Sequence, residues 1–479
     1  MQLGQEIGQT RFTDDDRLRF ESRLQQETEL LVEHLRSGRI AQDCCVGGFE
    51  LESWLVDHNY FPSPTNETYL ARLNDPLVVP ELSKFNVELN GTPQTLRGDA
   101  FRRLEQELEQ TWRHCVDIAH EQDAALVMIG ILPTIRETEL TLGNISQMNR
   151  YFALNEQILK GRRGEPIHID IMGREHLVTM HQDVMLEAAT TSFQVHLQVP
   201  EHQAVRYYNA ALILSGPIVA ACANSPYLFE TDLWDETRIP LFEQAVEIGG
   251  YGGLATSPMR RVTFGSGYAR ESMAEIFLEN LSAYPVLLPI HFDSEATELS
   301  HVRLHNGTIW RWNRPLIGFD EHGVAHIRIE HRVMPAGPSI ADQIANAALY
   351  IGLSRFLAEA PQAPEDRLDF DVVRENFYRA ARYGLEAEMI WFGGAKTDVC
   401  TLLLEELLPM AAHGLGSLGI DEDDIEHYLD ILRARIRTKQ NGSGWQRAYI
   451  DHHGRDFFKL TAAYLERQRS GMPVHEWEI

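Results

Sequence analysis

The chain of 479 residues has few cysteines, no long apolar run and a shortage of basic side chains. Cys44, Cys45, Cys115, Cys222 and Cys400 are an odd number at scattered spacings, which makes neither a disulfide framework nor a zinc-ligand pattern and suits a reducing compartment. Ala210 to Cys222 is apolar but too short to cross a bilayer, and reads as a buried helix. Lysine and arginine number 43 against 70 aspartates and glutamates, a formal net charge of −27. Nucleic acid and anionic membrane surfaces would both repel such a chain, so neither is expected as a partner. Met1 to Asp16 is polar and acidic, unlike a secretory signal, and a cytoplasmic location is expected. Repeats and low-complexity tracts are missing. Gly249-Gly250-Tyr251-Gly252-Gly253 lacks the Gly-Lys-Ser/Thr ending of a phosphate-cradling P-loop and is expected to hinge a lid instead.

What is present is a pattern that occurs four times. In Gly47 to Asp57 the residues alternate, so a β-strand puts Glu50, Glu52 and Trp54 on one face and Phe49, Leu51 and Leu55 on the other. Two neighbouring carboxylates repel, and on a half-buried face they are tolerated best with a cation between them. Phe85 to Asn90 repeats the arrangement, with Asn86, Glu88 and Asn90 opposite Phe85, Val87 and Leu89. Thr191 to Val199 sets Gln194, His196 and Gln198 against an apolar face, and His326 to Val333 sets Arg328, Glu330 and Arg332 against Ile327, Ile329 and Val333. Carboxylates and an imidazole suit a hard divalent cation, and guanidinium groups suit phosphoryl oxygens. Four such strands could line one concave sheet.

Elsewhere, Asp14 to Arg36 has helical spacing with Thr13-Asp14 as a cap. Phe61 to Leu82 is rich in proline and asparagine and is expected to be a long loop across the mouth of the site. A helix is predicted over Asp99–Glu121, a buried strand over Ala124–Leu132, a helix over Ser146–Leu159, and short strands near His168–Ile171 and His176–Thr179. Glu201 to Cys222 should return the chain over the sheet as a helix. Asn306-Gly307 between extended flanks predicts a hairpin, leaving Arg311 and Arg314 near a loop end and free to meet a carboxylate or polyphosphate. Beyond Pro338 helices are predicted over 339–358, 372–383, 397–412, 425–437 and 445–467.

The order of the Glu-x-Glu, Glu-x-Asn, Val-His-x-x-Val and Glu-x-Arg strands resembles the type 2 glutamate–cysteine ligase family, carboxylate–amine ligases related in fold to glutamine synthetase. The resemblance runs from about Gly47 to the C-terminal residues. It implies an α+β fold in which an antiparallel β-sheet funnel of the glutamine synthetase/guanidino kinase type carries helices on its outer face, in one catalytic domain over 1–479, strand-rich at 40–338 and helical at 339–479. ATP and Mg²⁺ (or Mn²⁺) are the implied cofactors, and small amino acids, glutamate first, the implied substrates. Glu50, His196 and Glu330 are implied to hold the cation on the ATP phosphates, and Glu52 and Glu88 the cation nearer the amino acid. Arg332 is implied to stabilise the transferring phosphoryl group, Arg238 to face phosphate, and Arg311 and Arg314 to anchor glutamate. Gln194, Gln198 and Arg328, on the same strand faces, fall on the nucleotide side. The glycines of Asn441-Gly442-Ser443-Gly444 opening a helix, with Trp445, Gln446 and Arg447, are implied to reach the nucleotide as well. A guanidino kinase and a non-catalytic nucleotide- or amino-acid-binding protein remain alternatives, and a homo-oligomer is allowed.

Overall fold

The computed structural model describes residues 6–42, 45–248 and 260–479, so the Gly249–Gly253 hinge lies outside the described residues. The fold is built on an eight-stranded sheet. Its strands are β1 (Val46–Val56), β2 (Val78–Pro80), β3 (Asn86–Asn90), β4 (Gln94–Thr95), β5 (Ala125–Val127), β6 (Ser192–Val199), β7 (Asn313–Phe319) and β8 (Ala325–Pro335). The main path runs β7-β8-β6-β1-β3-β2, with β4 and β5 paired to β1. Each of these pairings is antiparallel.

Alternation along these strands sorts the side chains as the sequence requires. Phe49, Leu51, Val87, Leu89, Phe193, Val195, Leu197, Ile327 and Ile329 are buried together in the core. Among the helices are, in chain order, α1 (Asp14–Arg36), α2 (Ala100–His120), α3 (Ala204–Cys222), α4 (Ile340–Ala358), α5 (Phe370–Tyr383), α6 (Val399–Ser417), α7 (Glu422–Thr438), α8 (Gly442–His453) and α9 (Phe457–Arg469). α3, buried almost throughout, packs on β8, and α4 and α5 pack on α3; α6 and α7 pack in turn on α4. The α+β arrangement with an antiparallel sheet is therefore present, with α3 against the sheet and α4 to α7 packed behind α3. Thr13 does cap α1, closing a capping box with Asp16.

Several local expectations fail for identifiable reasons. Phe61–Leu82 is not a plain loop: it holds a helix at Asn66–Leu73 and the edge strand β2. Asn306-Gly307 is the last turn of a helix, Ser300–Gly307, because Asn306 is buried, donating through Nδ2 to Pro315 O (2.9 Å) and accepting from Asn280 Nδ2 (2.9 Å). The strand expected to reach Leu132 stops at Val127, since side chains of α9 take over the next backbone groups: Gln468 Oε1 accepts from Met128 N (3.0 Å), and Tyr464 Oη and Gln468 Nε2 donate to Met128 O. The predicted 445–467 helix is two helices, broken at Gly454, whose φ of 89° favours glycine. Among the described residues α6 is the one helix long and apolar enough to cross a membrane, which the sequence reading did not expect; half of its most apolar stretch is buried against protein. Cys115, Cys222 and Cys400 are free and buried.

Candidate functional site

Register turns the polar strand faces into clusters. Glu330 on β8 lies opposite His196 on β6, and Glu50 on β1 lies opposite Gln194 and Asn90. Ligand atoms of Glu50, His196 and Glu330 all come within 4.8 Å of one another, with His196 Nε2 3.1 Å from Glu50 Oε1 and 3.8 Å from Glu330 Oε1. Both ring nitrogens of His196 are buried without a well-directed hydrogen bond. A buried imidazole ringed by carboxylates and lacking hydrogen bonds has the donor chemistry of a cation ligand.

The second cluster lies one strand over. Glu52 on β1 faces Glu88 on β3 directly, a like-charge pair that is destabilising by itself. Glu81 joins them, its carboxylate also within 4.8 Å of theirs. Sequence reading missed Glu81 because it follows a three-residue edge strand ending in Pro80, in a segment with too little periodicity to assign a face. Its signal was the short apolar run before Pro80. Burial, and then Glu81, push Glu52 up to about 7, despite Arg332 and the hydrogen bonds from Ser192. Glu88 is raised well above the usual range by burial and by Glu50, Glu81 and Glu52. Glu187, on the turn at Val184–Ala189, is raised by burial with Glu81 and Glu52 next in weight, and is a further carboxylate of this region that sequence reading did not single out.

Arg332 stands between the clusters. It donates through Nη1 to Glu330 Oε2 (3.1 Å) and to Gln194 Oε1. Gln194 in turn donates to Glu52 Oε1 (3.0 Å), and Ser192 holds the same carboxylate through its backbone N (2.7 Å) and Oγ (2.9 Å). Burial opposes the charge of Arg332, but Glu330, Glu52 and Glu50 outweigh it and raise the pKa. At Glu330 burial is likewise overcome, by Arg314, Arg332 and His196, which hold it far below the usual carboxylate range. Arg328 shares this face opposite Gln198, with its Nε buried and unpaired. Burial lowers its pKa against the pull of Glu50 and Glu330.

The other arginines and the tail motif are engaged elsewhere. Arg314 is not free at a loop end: it is buried on β7, with two hydrogen bonds to Glu330. Arg311 lies off the main sheet, buried and paired with Glu279 (2.5 Å), so it does not reach the clusters. Arg238 does not open toward a phosphate, being 2% exposed and bound to Glu236 and to backbone carbonyls of β8. Trp445, Gln446 and Arg447 are also buried in structural contacts. Trp445 donates to Glu478 O (3.1 Å), Gln446 to Asn224 Oδ1 (2.9 Å), and Arg447 to Asp232 Oδ1 (2.9 Å) and to Asp235. The helix opening expected to meet an anion is closed by Asn441, whose side chain accepts from Gly444 N, and by Asn224, which sits where a side chain at Gly442 would go. Trp54 packs, stacked on Phe85 at 5.5 Å and donating to Ile129 O.

This antiparallel sheet backed by helices is a fold also found in glutamate–cysteine ligases. A glutamate–cysteine ligase from Francisella tularensis, solved in complex with AMP, superposes over 90% of this chain and 90% of its own with a TM-score of 0.56 at 11% identity. A bifunctional glutathione synthetase from Pasteurella multocida gives 0.52 at 11% identity, covering 95% of this chain and 55% of that one. The chain belongs to glutamate–cysteine ligase family 2, whose sequence profile matches residues 46–459. A relative from Frankia casuarinae, whose name gives glutamate–cysteine ligase 2-1 as a provisional assignment, is 36% identical over 107 residues. That alignment spans 22% of this chain and 25% of the relative.

Proposed function

We propose that this chain is an ATP-dependent carboxylate–amine ligase, with one catalytic domain whose sheet forms the wall of a funnel. The observation that carries the reading is the pair of adjacent clusters, Glu50–His196–Glu330 and Glu52–Glu81–Glu88, with Arg332 between them. The donor set fits a hard cation at each cluster: oxygen ligands, one imidazole left without hydrogen bonds, and carboxylates whose mutual repulsion asks for positive charge. Bound there, Mg²⁺ or Mn²⁺ would neutralise phosphate oxygens of ATP. The residues of the chain align and screen. Arg332, fixed by Glu330 and Gln194, is placed to meet charge building on a transferring phosphoryl group. Arg328, on the same face with an unpaired Nε, can take a further phosphate oxygen, with Gln198 opposite it. The carboxylate of an amino acid, glutamate by family, attacks the γ-phosphorus of ATP and ADP leaves. An amine, cysteine by family, then attacks the acyl carbon of the acyl phosphate, losing a proton and expelling phosphate to leave an amide. Holding the reactants in line supplies much of the rate.

The test is trapping. With ATP, Mg²⁺, a panel of amino acids headed by glutamate and hydroxylamine, the protein should yield a hydroxamate with ADP and phosphate. A panel without hydroxamate, in protein shown to bind ATP, would overturn the ligase reading.

A further inference from the structure

Glu236 and Arg238 form an ion pair, 0% and 2% exposed, sealed from solvent. Its contacts lead in two directions. On one side Gln446 Nε2 donates to Asn224 Oδ1 (2.9 Å), Asn224 N donates to Glu236 Oε2 (2.8 Å), and Arg238 Nε donates to Glu236 Oε1 (3.0 Å). On the other side Arg238 Nη2 donates to Val333 O (2.6 Å) and Arg332 O (3.2 Å). Those two carbonyls sit where the pairing of β8 with β6 shifts register, His331 facing Val195 and Met334 facing Phe193. Three steps on one strand match two on the other, so Arg332 and Val333 together stand across from Gln194. A bulge interrupts the regular ladder, and its buried carbonyls need donors from elsewhere.

We infer that Arg238 is a positioning residue for Arg332: it holds the bulge that aims the Arg332 side chain at Glu330 and Gln194, and Asn224 and Gln446 tie this hold to the C-terminal motif. The inference rests on the reading of Arg332 as the group that meets the phosphoryl charge. Arginine suits the place because its rigid fork serves a carboxylate through Nε and two carbonyls through Nη2. Lysine would keep the charge beside Glu236 but would bring one nitrogen where the site uses two.

The experiment joins a crystal structure of Arg238→Lys to a double-mutant cycle with Arg332→Lys. In the variant structure the Arg332 guanidinium should leave Glu330 and Gln194. Turnover should fall by about 10- to 100-fold, the scale of a misplaced transition-state group, with KM for ATP within about threefold. In the Arg332→Lys background, Arg238→Lys should cost less than about threefold more, because both act through one side chain. An unmoved Arg332, or losses that multiply, would overturn the inference. Should Arg238→Lys not fold, Gln446→Met, which leaves the ion pair intact, goes through the same cycle with a smaller expected loss and the same non-additivity. A parent protein without turnover would count against the ligase reading, while the position of Arg332 in the variant structure would still decide this one.

Discussion

Arg314 grips Glu330 through two parallel hydrogen bonds, Nε to Oε2 at 2.7 Å and Nη2 to Oε1 at 3.0 Å, and both residues are buried. The pair lies across β7 and β8 in direct register. It orients the carboxylate that His196 and Arg332 also approach. Removing one partner strands a buried charge, a loss on the order of 3 to 5 kcal/mol, while replacing both with apolar groups of similar volume is often near neutral. Arg314→Met should therefore lose stability toward the low end of that range, since Arg332 still meets Glu330. Arg314→Met with Glu330→Leu should recover only part of it, because the second change takes from Arg332 a carboxylate that balances its charge. Urea denaturation decides: a single variant within about 1 kcal/mol of the parent would show that the pair does not hold the strands.

Glu81 tests the second cluster. Glu81→Gln keeps shape and removes one of its three carboxylates. The Mg²⁺ concentration that half-saturates nucleotide turnover should rise about tenfold or more, the scale seen when even an outer partner of a metal site is lost. Exhaustive chelation should abolish turnover in the parent. Activity that survives chelation, or a Glu81→Gln variant with an unchanged Mg²⁺ requirement, would remove the cation from this cluster.

His305 gives a pH dependence away from the clusters. Its Nε2 donates to Asn280 O at 2.9 Å, since a carbonyl can only accept, and burial lowers its pKa to about 4. The folded-state value lies below the unfolded value near 6.5. Between about 6.5 and 4 the unfolded chain binds a proton that the folded chain does not, so stability is full above this window and falls as pH drops through it. His305→Gln can still donate to Asn280 O but cannot titrate. Its stability should fall less steeply than the parent's across that window, by up to about 1.4 kcal/mol per pH unit. Denaturation curves at several pH values would show it, and parallel slopes would refute it.

Gly352 and Gly414 let α4 and α6 touch backbone to backbone, because a Cβ at either position would strike the main chain of the other helix. Alanine normally gains about 1 kcal/mol over glycine in a helix. Here that gain should be outweighed by overpacking of about 1 to 3 kcal/mol, since backbone cannot rotate away. Thermal unfolding of Gly414→Ala should show a lower Tm, and a higher Tm would mean that the helices can separate at little cost.

By itself the sequence determined which side chains share a face. Two-residue alternation in Phe49–Leu55, Phe85–Asn90, Ser192–Val199 and Ile327–Val333 puts Glu50, Glu52, Glu88, His196, Glu330 and Arg332 opposite an apolar set, because a strand has no other way to bury one side. Tertiary structure decided which of these polar groups meet and which arginines remain to act. Register sets Glu330 against His196 and Glu52 against Glu88, and the bulge after His331 turns Arg332 toward Gln194. A three-residue edge strand brings in Glu81, whose neighbours in sequence carry no such pattern. Arg238, Arg311 and Arg447 looked available in one dimension, but each of these buried guanidinium groups is claimed by a carboxylate: Glu236, Glu279, and the Asp232–Asp235 pair. A guanidinium taken out of water must find a counter-charge. Local pattern fixes only the face a side chain takes, whereas its partner depends on how distant segments pack.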